Sequence, residues 1–481
     1  MTTRRDFIRI GACGAVGMTA LSESLERLGL ISNAALAAPS DYRALVCIFL
    51  FGGNDANNMV IPVFGSGYTA YASARGGDLA LSQGSLAATT ITPNSIGSDY
   101  AFPPAMTGLK NLFTSGQVAV VANVGPLTQP TNKTQYNSNA AFRPYQLFSH
   151  SDQQSTWMAA RSDVKTTLGW GGLTADNQVS LNGGSAYPPV TSLAGNNQFN
   201  RGLVTKPLGA APAPTALNQI LVLNGFTTSA TDLARRTAFD TLRSFDTSIP
   251  LVNAMSGVTQ SALDIGAALA VDPVVGAFPN TGIGNQLKQV AKLIKLNQTA
   301  VQLGLNRQIF FCSMGGFDTH QDELVAHTNL YGQLSAAMTA FYNETVAQGL
   351  AGRITTFTES DFGRTLQPSG TGTTVGSDHA WGNHQIVMGG AVVGKDFYGV
   401  RGPNGGVFPD HTLGASNPLD TDGRGRFIPS CSVDLYASTL AQWFGVSLAD
   451  ANTIFPLLYR FPNTAGNNPG DSHLGFLLPA F

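Results

Sequence analysis

The feature that most constrains this chain is a recurring one: near-unbroken apolar runs of strand length that stop at glycine or at polar residues. "ALVCIFLFGGND" is apolar from Ala44 to Phe51 and "QVAVVANVG" from Val118 to Val124. "QIFFCSMGGFDTH" repeats the pattern at Ile309–Met314, and "RITTFTESDFGR" at Ile354–Thr358. Strands with one wet face alternate apolar and polar residues. Runs without alternation belong to strands covered on both faces, as in a parallel sheet between helical layers. "IVMGGAVVG" reads as a further strand with a glycine turn.

Helical periodicity falls between these runs. In "DELVAHTNLYGQLSAAMTAFYNETVAQGL" the residues Leu324, Tyr331, Leu334, Met338 and Phe341 share one stripe, and in "GNQLKQVAKLIKLNQTAV" Leu287, Val290, Leu293 and Ile294 do so. "SVDLYASTLAQWFGV" opens on Ser432 as an N-cap and stops at Gly445. Strands alternating with helices predict an α/β fold with a large, mostly parallel central sheet. The stretch 180–214, rich in Gly, Asn, Pro and Ser, reads as a loop-rich insertion in one domain spanning 38–481.

Every strand-like run is followed by polar residues. Asn54 and Asp55 follow the first; Ser149, His150 and Asp152 lie beyond the second; Asp318 and His320 follow the third. After the fourth come Asp361 and Arg364, and then "GSDHAWGNH" with Asp378, His379 and His384. Open α/β sheets bind ligands beyond the carboxyl ends of their strands, so these residues are expected to converge. Carboxylates and imidazoles are the donors of divalent-metal sites, zinc above all. The chain has seven histidines, and His320, His327, His379, His384 and His411 cluster in its second half.

Each residue also has a structural role open to it. Asp55 and Asp318 suit turn or helix capping, and Asp361 with Arg364 suits an ion pair. His327 lies on the helical face of Leu324 and Tyr331, where packing is expected rather than ligation.

Charged residues are 12% of the chain and the net charge is -2, which gives no field to hold nucleic acid or an anionic membrane. Residues 1–37 read as a twin-arginine export signal: Arg4-Arg5 with Phe7 and Ile8, a weakly apolar stretch, then Ala35-Leu36-Ala37. No later stretch is long and apolar enough to span a bilayer. Cys47, Cys312 and Cys431 beyond the signal allow no disulfide framework, and the first two sit in strand-like runs as small hydrophobes. There is no Gly-x-Ser-x-Gly nucleophile elbow.

"FGGNDANNMVIP", "LFSHSDQQSTW", "GGFDTHQDE", "TESDFGRT" and "GSDHAWGNHQIVMGGAVVGKDFYG" together resemble the signature blocks of the DUF1501 family over roughly Tyr42 to Val446. These are twin-arginine-exported proteins of the alkaline phosphatase/sulfatase superfamily. The resemblance implies a three-layer sandwich and a periplasmic or secreted hydrolase of anionic phosphate or sulfate esters.

It also implies one or two divalent metals, zinc ahead of manganese, magnesium or calcium. Their ligands would be Asp55, Asp318, His320, Asp361, Asp378 and His379, with Phe362 where the superfamily has a ligand histidine. Ser149, beside His150, takes the nucleophile's place in chain order, and Arg364 would offset charge on the transferred group. A second reading is non-catalytic: a binding or assembly component with a DUF1800-type partner.

Overall fold

The computed structural model describes residues 41–183, 185, 187–222, 228–299, 303–461 and 473–478; the export signal at 1–37 lies outside them. Its centre is a nine-stranded sheet. The strands are β1 (Arg43–Leu50), β2 (Val118–Gly125), β3 (Val190–Ser192), β4 (Leu208–Gly209) and β5 (Arg307–Met314), then β6 (Ile354–Ser360), β7 (Asn383–Met388), β8 (Phe397–Tyr398) and β9 (Cys431–Ser432). Their order is β8-β2-β7-β6-β1-β5-β3-β4, with β9 also paired to β2. The long apolar runs are the buried strands of this mixed α/β fold, and the sheet is mostly parallel.

β7 is the exception, antiparallel to both β2 and β6. A parallel neighbour needs a crossover, usually a helix. Residues 361–382 between β6 and β7 contain no helix, and the chain turns back beside the strand it has just left. The glycine-rich 180–214 stretch is largely irregular and contributes β3 and β4, two short parallel strands at the sheet edge beside β5.

Helices cover both faces. Among them are α1 (Gly65–Leu79), α2 (His150–Ala159), α3 (Trp170–Asn177), α4 (Ala230–Ser244), α5 (Pro250–Ala268), α6 (Gly282–Thr299), α7 (Glu323–Ala347) and α8 (Val433–Phe444). Alternate residues of β1 split between two cores. Ala44, Val46, Ile48 and Leu50 pack with α6 and α7; Leu45, Cys47 and Phe49 pack with α2, α3 and α8. The result is three layers.

Ser432 caps α8 by accepting from the Leu435 N–H, and Gly445 ends it at φ 127. Tyr331, Leu334, Met338 and Phe341 of α7 are fully buried as their spacing predicts. The first turn of α7 departs from the apolar stripe: Glu323 and His327 are buried there, while Leu324 is only half-buried.

Register decides where the loops emerge. Leu50 pairs with Met314 on one side and Ser360 on the other, so β1, β5 and β6 end level. The segments carrying Asp55, Asp318 and Asp361 therefore leave the sheet at one edge.

Candidate metal centre

Beyond that edge three imidazoles meet one carboxylate. His150 is the first residue of α2, whose N-cap is Ser149. Its Nδ1 lies 2.7 Å from Asp361 Oδ2, and its Nε2 lies 3.3 Å from Asp318 Oδ2 without hydrogen-bond alignment. His379 Nδ1 lies 2.9 Å from the Phe148 carbonyl oxygen, and its Nε2 is 3.3 Å from Asp318 Oδ1. His320 Nε2 is 3.2 Å from the same oxygen, with its Nδ1 3.4 Å from Asp378 Oδ1. Ligand atoms of His150, Asp318 and His379 all fall within 4.8 Å of one another.

The outer nitrogens decide what the inner ones offer. A carbonyl oxygen only accepts, so it holds the proton on His379 Nδ1 and leaves Nε2 as a lone pair in the neutral ring. Burial, with His150 and Arg364 nearby, lowers the His379 pKa and keeps that ring neutral. Phe148 presents its carbonyl from a left-handed backbone at φ 76, a conformation that costs a phenylalanine about 1–3 kcal/mol. Asp361, fully buried, also accepts from Gln154 Nε2 at 2.8 Å and the Gly52 N–H at 3.2 Å. The hydrogen bond to Asp361 raises the His150 pKa against the opposing effect of burial.

Asp318 and His320 are nearly half exposed, at 46% and 47%, so the cluster opens to solvent. Burial pushes the Asp318 carboxyl up, but Arg364 and His150 outweigh it and hold its pKa below the ordinary value. Asp378 is opposed by burial in the same way; its bond from Arg424 Nη1, at 2.6 Å, prevails and lowers it. Phe362 takes no polar part: its ring lies 4.8 Å from that of His150 and 4.5 Å from that of His379, bracing both.

The expected residues thus divide. Asp318, His320 and His379 come together, and His150, expected as a catalytic neighbour, joins them as a nitrogen donor. Asp361 and Asp378 stand behind the histidines. Asp55 is elsewhere: fully buried, it pairs with Arg75 of α1 and lies by Glu323 and His327. Arg364 is also fully buried. It donates from Nη1 to the Gly52 carbonyl and Asp318, at 3.1 and 3.2 Å, and from Nε and Nη2 to Ser377.

The Ser149 hydroxyl donates to Asp152 at 2.8 Å, and Asp152 pairs with Lys165. His384 is buried and accepts from the Asn123 N–H at 2.9 Å, away from the cluster. Arg75 and Glu323 were not marked by the sequence reading. The available signals were a lone arginine in the small-residue run "YASARGG" and an acid three residues past His320.

The donor set suits a divalent ion of the zinc type: three imidazole nitrogens, each ring backed by an oxygen at Nδ1, plus a carboxylate.

Residues 257–408 match the model of a family described as "Protein of unknown function (DUF1501)". No curated protein matches the chain. Solved structures similar to it include the C-terminal periplasmic domain of EcEptC from Escherichia coli in complex with Zn. There the identity is 10% and the TM-score 0.30, covering 74% of this chain and 75% of that one. The PsFucS1 sulfatase from Pseudoalteromonas sp. is 9% identical with a TM-score of 0.29, covering 82% of this chain and 68% of that one. The lipoteichoic acid synthase LtaP from Listeria monocytogenes is 9% identical with a TM-score of 0.27, covering 82% and 78%.

Proposed function

We propose that this chain is an exported, metal-dependent hydrolase of phosphate or sulfate esters. The observation that carries the reading is the convergence of His150, His320 and His379 Nε2 on the Asp318 carboxylate, in a cluster open to solvent. Those four residues would hold the ion. Bound there, a divalent ion supplies the Lewis acidity that cleavage of an anionic ester requires.

The chain's own groups then have defined tasks. Asp361 and the Phe148 carbonyl hold protons at Nδ1 of His150 and His379, so that both rings aim Nε2 inward. Arg424 holds Asp378 beside His320, and Arg364 fixes the Asp318 carboxylate from behind. Arg364 is wholly buried, so it offers a substrate no direct contact and holds the Asp318 carboxylate instead. The Ser149 hydroxyl is engaged by Asp152, and solvent water is the attacking group.

Export rests on the twin-arginine pattern of residues 1–37. It is compatible with the absence, among the described residues, of any helix long and apolar enough to cross a membrane. The deciding experiment is elemental analysis of the mature protein, followed by hydrolysis of 4-nitrophenyl phosphate and 4-nitrophenyl sulfate, with Asp318→Ala as control. Bound zinc or a like ion, and activity against one ester that Asp318→Ala abolishes, is the expected result. A folded protein without metal, inert to both esters, would leave the non-catalytic assembly reading with its DUF1800-type partner.

A further inference from the structure

Behind the open cluster lies a second set of ligand-type atoms, and it is sealed. Asp55, Glu323 and His327 each present one atom within 4.8 Å of the others, and none of the three is more than 2% exposed. By donor type alone this is a metal site. Two of its three members, however, already face an arginine. Arg75, fully buried near the end of α1 just before Gly76 breaks the helix at φ 62, donates from Nη2 to Asp55 Oδ1. Its Nη1 lies 3.5 Å from Glu323 Oε1.

We propose that the Arg75 guanidinium is the resident cation of this buried ligand set, and that it limits the chain to one divalent ion, held at the open cluster. The proposal rests on the metal-binding reading above and fixes its stoichiometry.

Two physical arguments carry it. The first is charge. Asp55 and Glu323 face Arg75, and Arg364, which Glu323 shares with Asp318, stands 3.7 Å from Glu323 Oε2, so the buried acids already meet guanidiniums without solvent. A divalent ion would add uncompensated positive charge beside those guanidiniums in a dry interior, at a cost of several kcal/mol per ion. Burial and the neighbouring Asp55 push the Glu323 pKa up to about 8, which makes the set more positive still near neutrality.

The second is hydrogen-bond bookkeeping. Asp55 Oδ2, Glu323 Oε1 and His327 Nδ1 lack hydrogen-bond partners, and so do Arg75 Nε and Nη1. Acceptors and donors are orphaned together. Water can serve both kinds, whereas a metal serves acceptors only and is repelled by the guanidinium.

The test is zinc per chain in the mature protein, equilibrated with zinc, dialysed and measured by elemental analysis. Wild type is expected to hold one equivalent, Arg75→Ala to gain one more, and Arg75→Lys to gain none because it keeps a cation. A folded Arg75→Ala that gains no zinc would overturn the proposal. So would a wild type holding two equivalents, one of them lost in Asp55→Asn.

If Arg75→Ala shows no cooperative melt, Asp55→Asn and Glu323→Gln decide: an unchanged zinc content supports the proposal and a lost equivalent overturns it. Zinc absent from wild type but gained by Arg75→Ala would retire the hydrolase reading and its one-ion stoichiometry, and would support Arg75 as the cation that keeps metal out of the buried set.

Discussion

The Nε2 atoms of His320 and His379 stand 3.1 Å apart. Two bare lone pairs repel at that distance unless a proton or a cation lies between them. His379 cannot supply the proton while neutral, because its Nδ1–H is held by the Phe148 carbonyl. In the metal-free chain His320 must therefore donate from Nε2. A divalent ion between the two nitrogens would take the place of that proton, and His379→Ala is expected to remove high-affinity zinc binding while the fold persists. Titration calorimetry with zinc on the metal-stripped protein checks this, and unchanged affinity would refute the site.

Asp361 acts through His150. Replacing it with asparagine takes the negative acceptor from Nδ1, and substitutions behind a ligand histidine commonly lose 10–100-fold in metal affinity, so a loss of about that size is expected. Because the bond to Asp361 is the main cause of the raised His150 pKa, Asp361→Asn should also lower that pKa. The proton-linked fall in zinc affinity would then begin at a lower pH than in wild type. A binding profile whose pH dependence does not move would count against this placement of Asp361.

Stability should fall between about pH 6.5 and about pH 8, the reverse of common behaviour. Burial raises Glu323, Glu359 and Asp434 to about 8. A carboxyl raised in the folded state binds a proton that the unfolded chain releases, so its contribution shrinks as pH rises from the unfolded value toward the folded one. The opposing groups are histidines that burial keeps neutral: His327 at about 4, and His384 and His411 at about 3. Their cost grows as pH falls below the unfolded value of 6.5. Between about pH 4.5 and about pH 6.5 the two effects oppose each other, and above that range the carboxyls act unopposed, joined by His150 with its raised pKa. Thermal melts of metal-free protein from pH 5 to about 8.5 check this; a melting temperature that climbs throughout would contradict it.

Gly52→Ala is expected to destabilise the fold by about 1–3 kcal/mol or more, since φ +117 is strained for any residue with a Cβ. The added methyl would also collide with the backbone of Asp318. Metal affinity should fall in addition, because the displaced residue is a proposed ligand. Chemical denaturation together with zinc titration separates the two losses. A variant that loses stability and keeps full affinity would show that Asp318 is held independently of this contact.

The residue pattern alone made the sheet and its functional edge legible. Continuous apolar runs can be buried only between two layers, and the polar residues after Phe51, Met314 and Ser360 could then belong only to the loops at the strand ends. It also marked Asp318, His320 and His379, because scarce histidines and acids beside glycine turns have few structural uses.

Only the tertiary structure divided the acids. Asp55 and Asp318 leave neighbouring strands at the same level, and local pattern does not distinguish them. Arg75, reaching in from α1, draws Asp55 into a dry ion pair, while Asp318 stays at the solvent edge. The roles of Asp361 and His150 were decided the same way. They lie 211 residues apart in sequence, and one becomes the other's anchor only when the N-terminus of α2 is docked over the end of β6. Burial and charge pairing act through space, and no local window of the chain contains both partners.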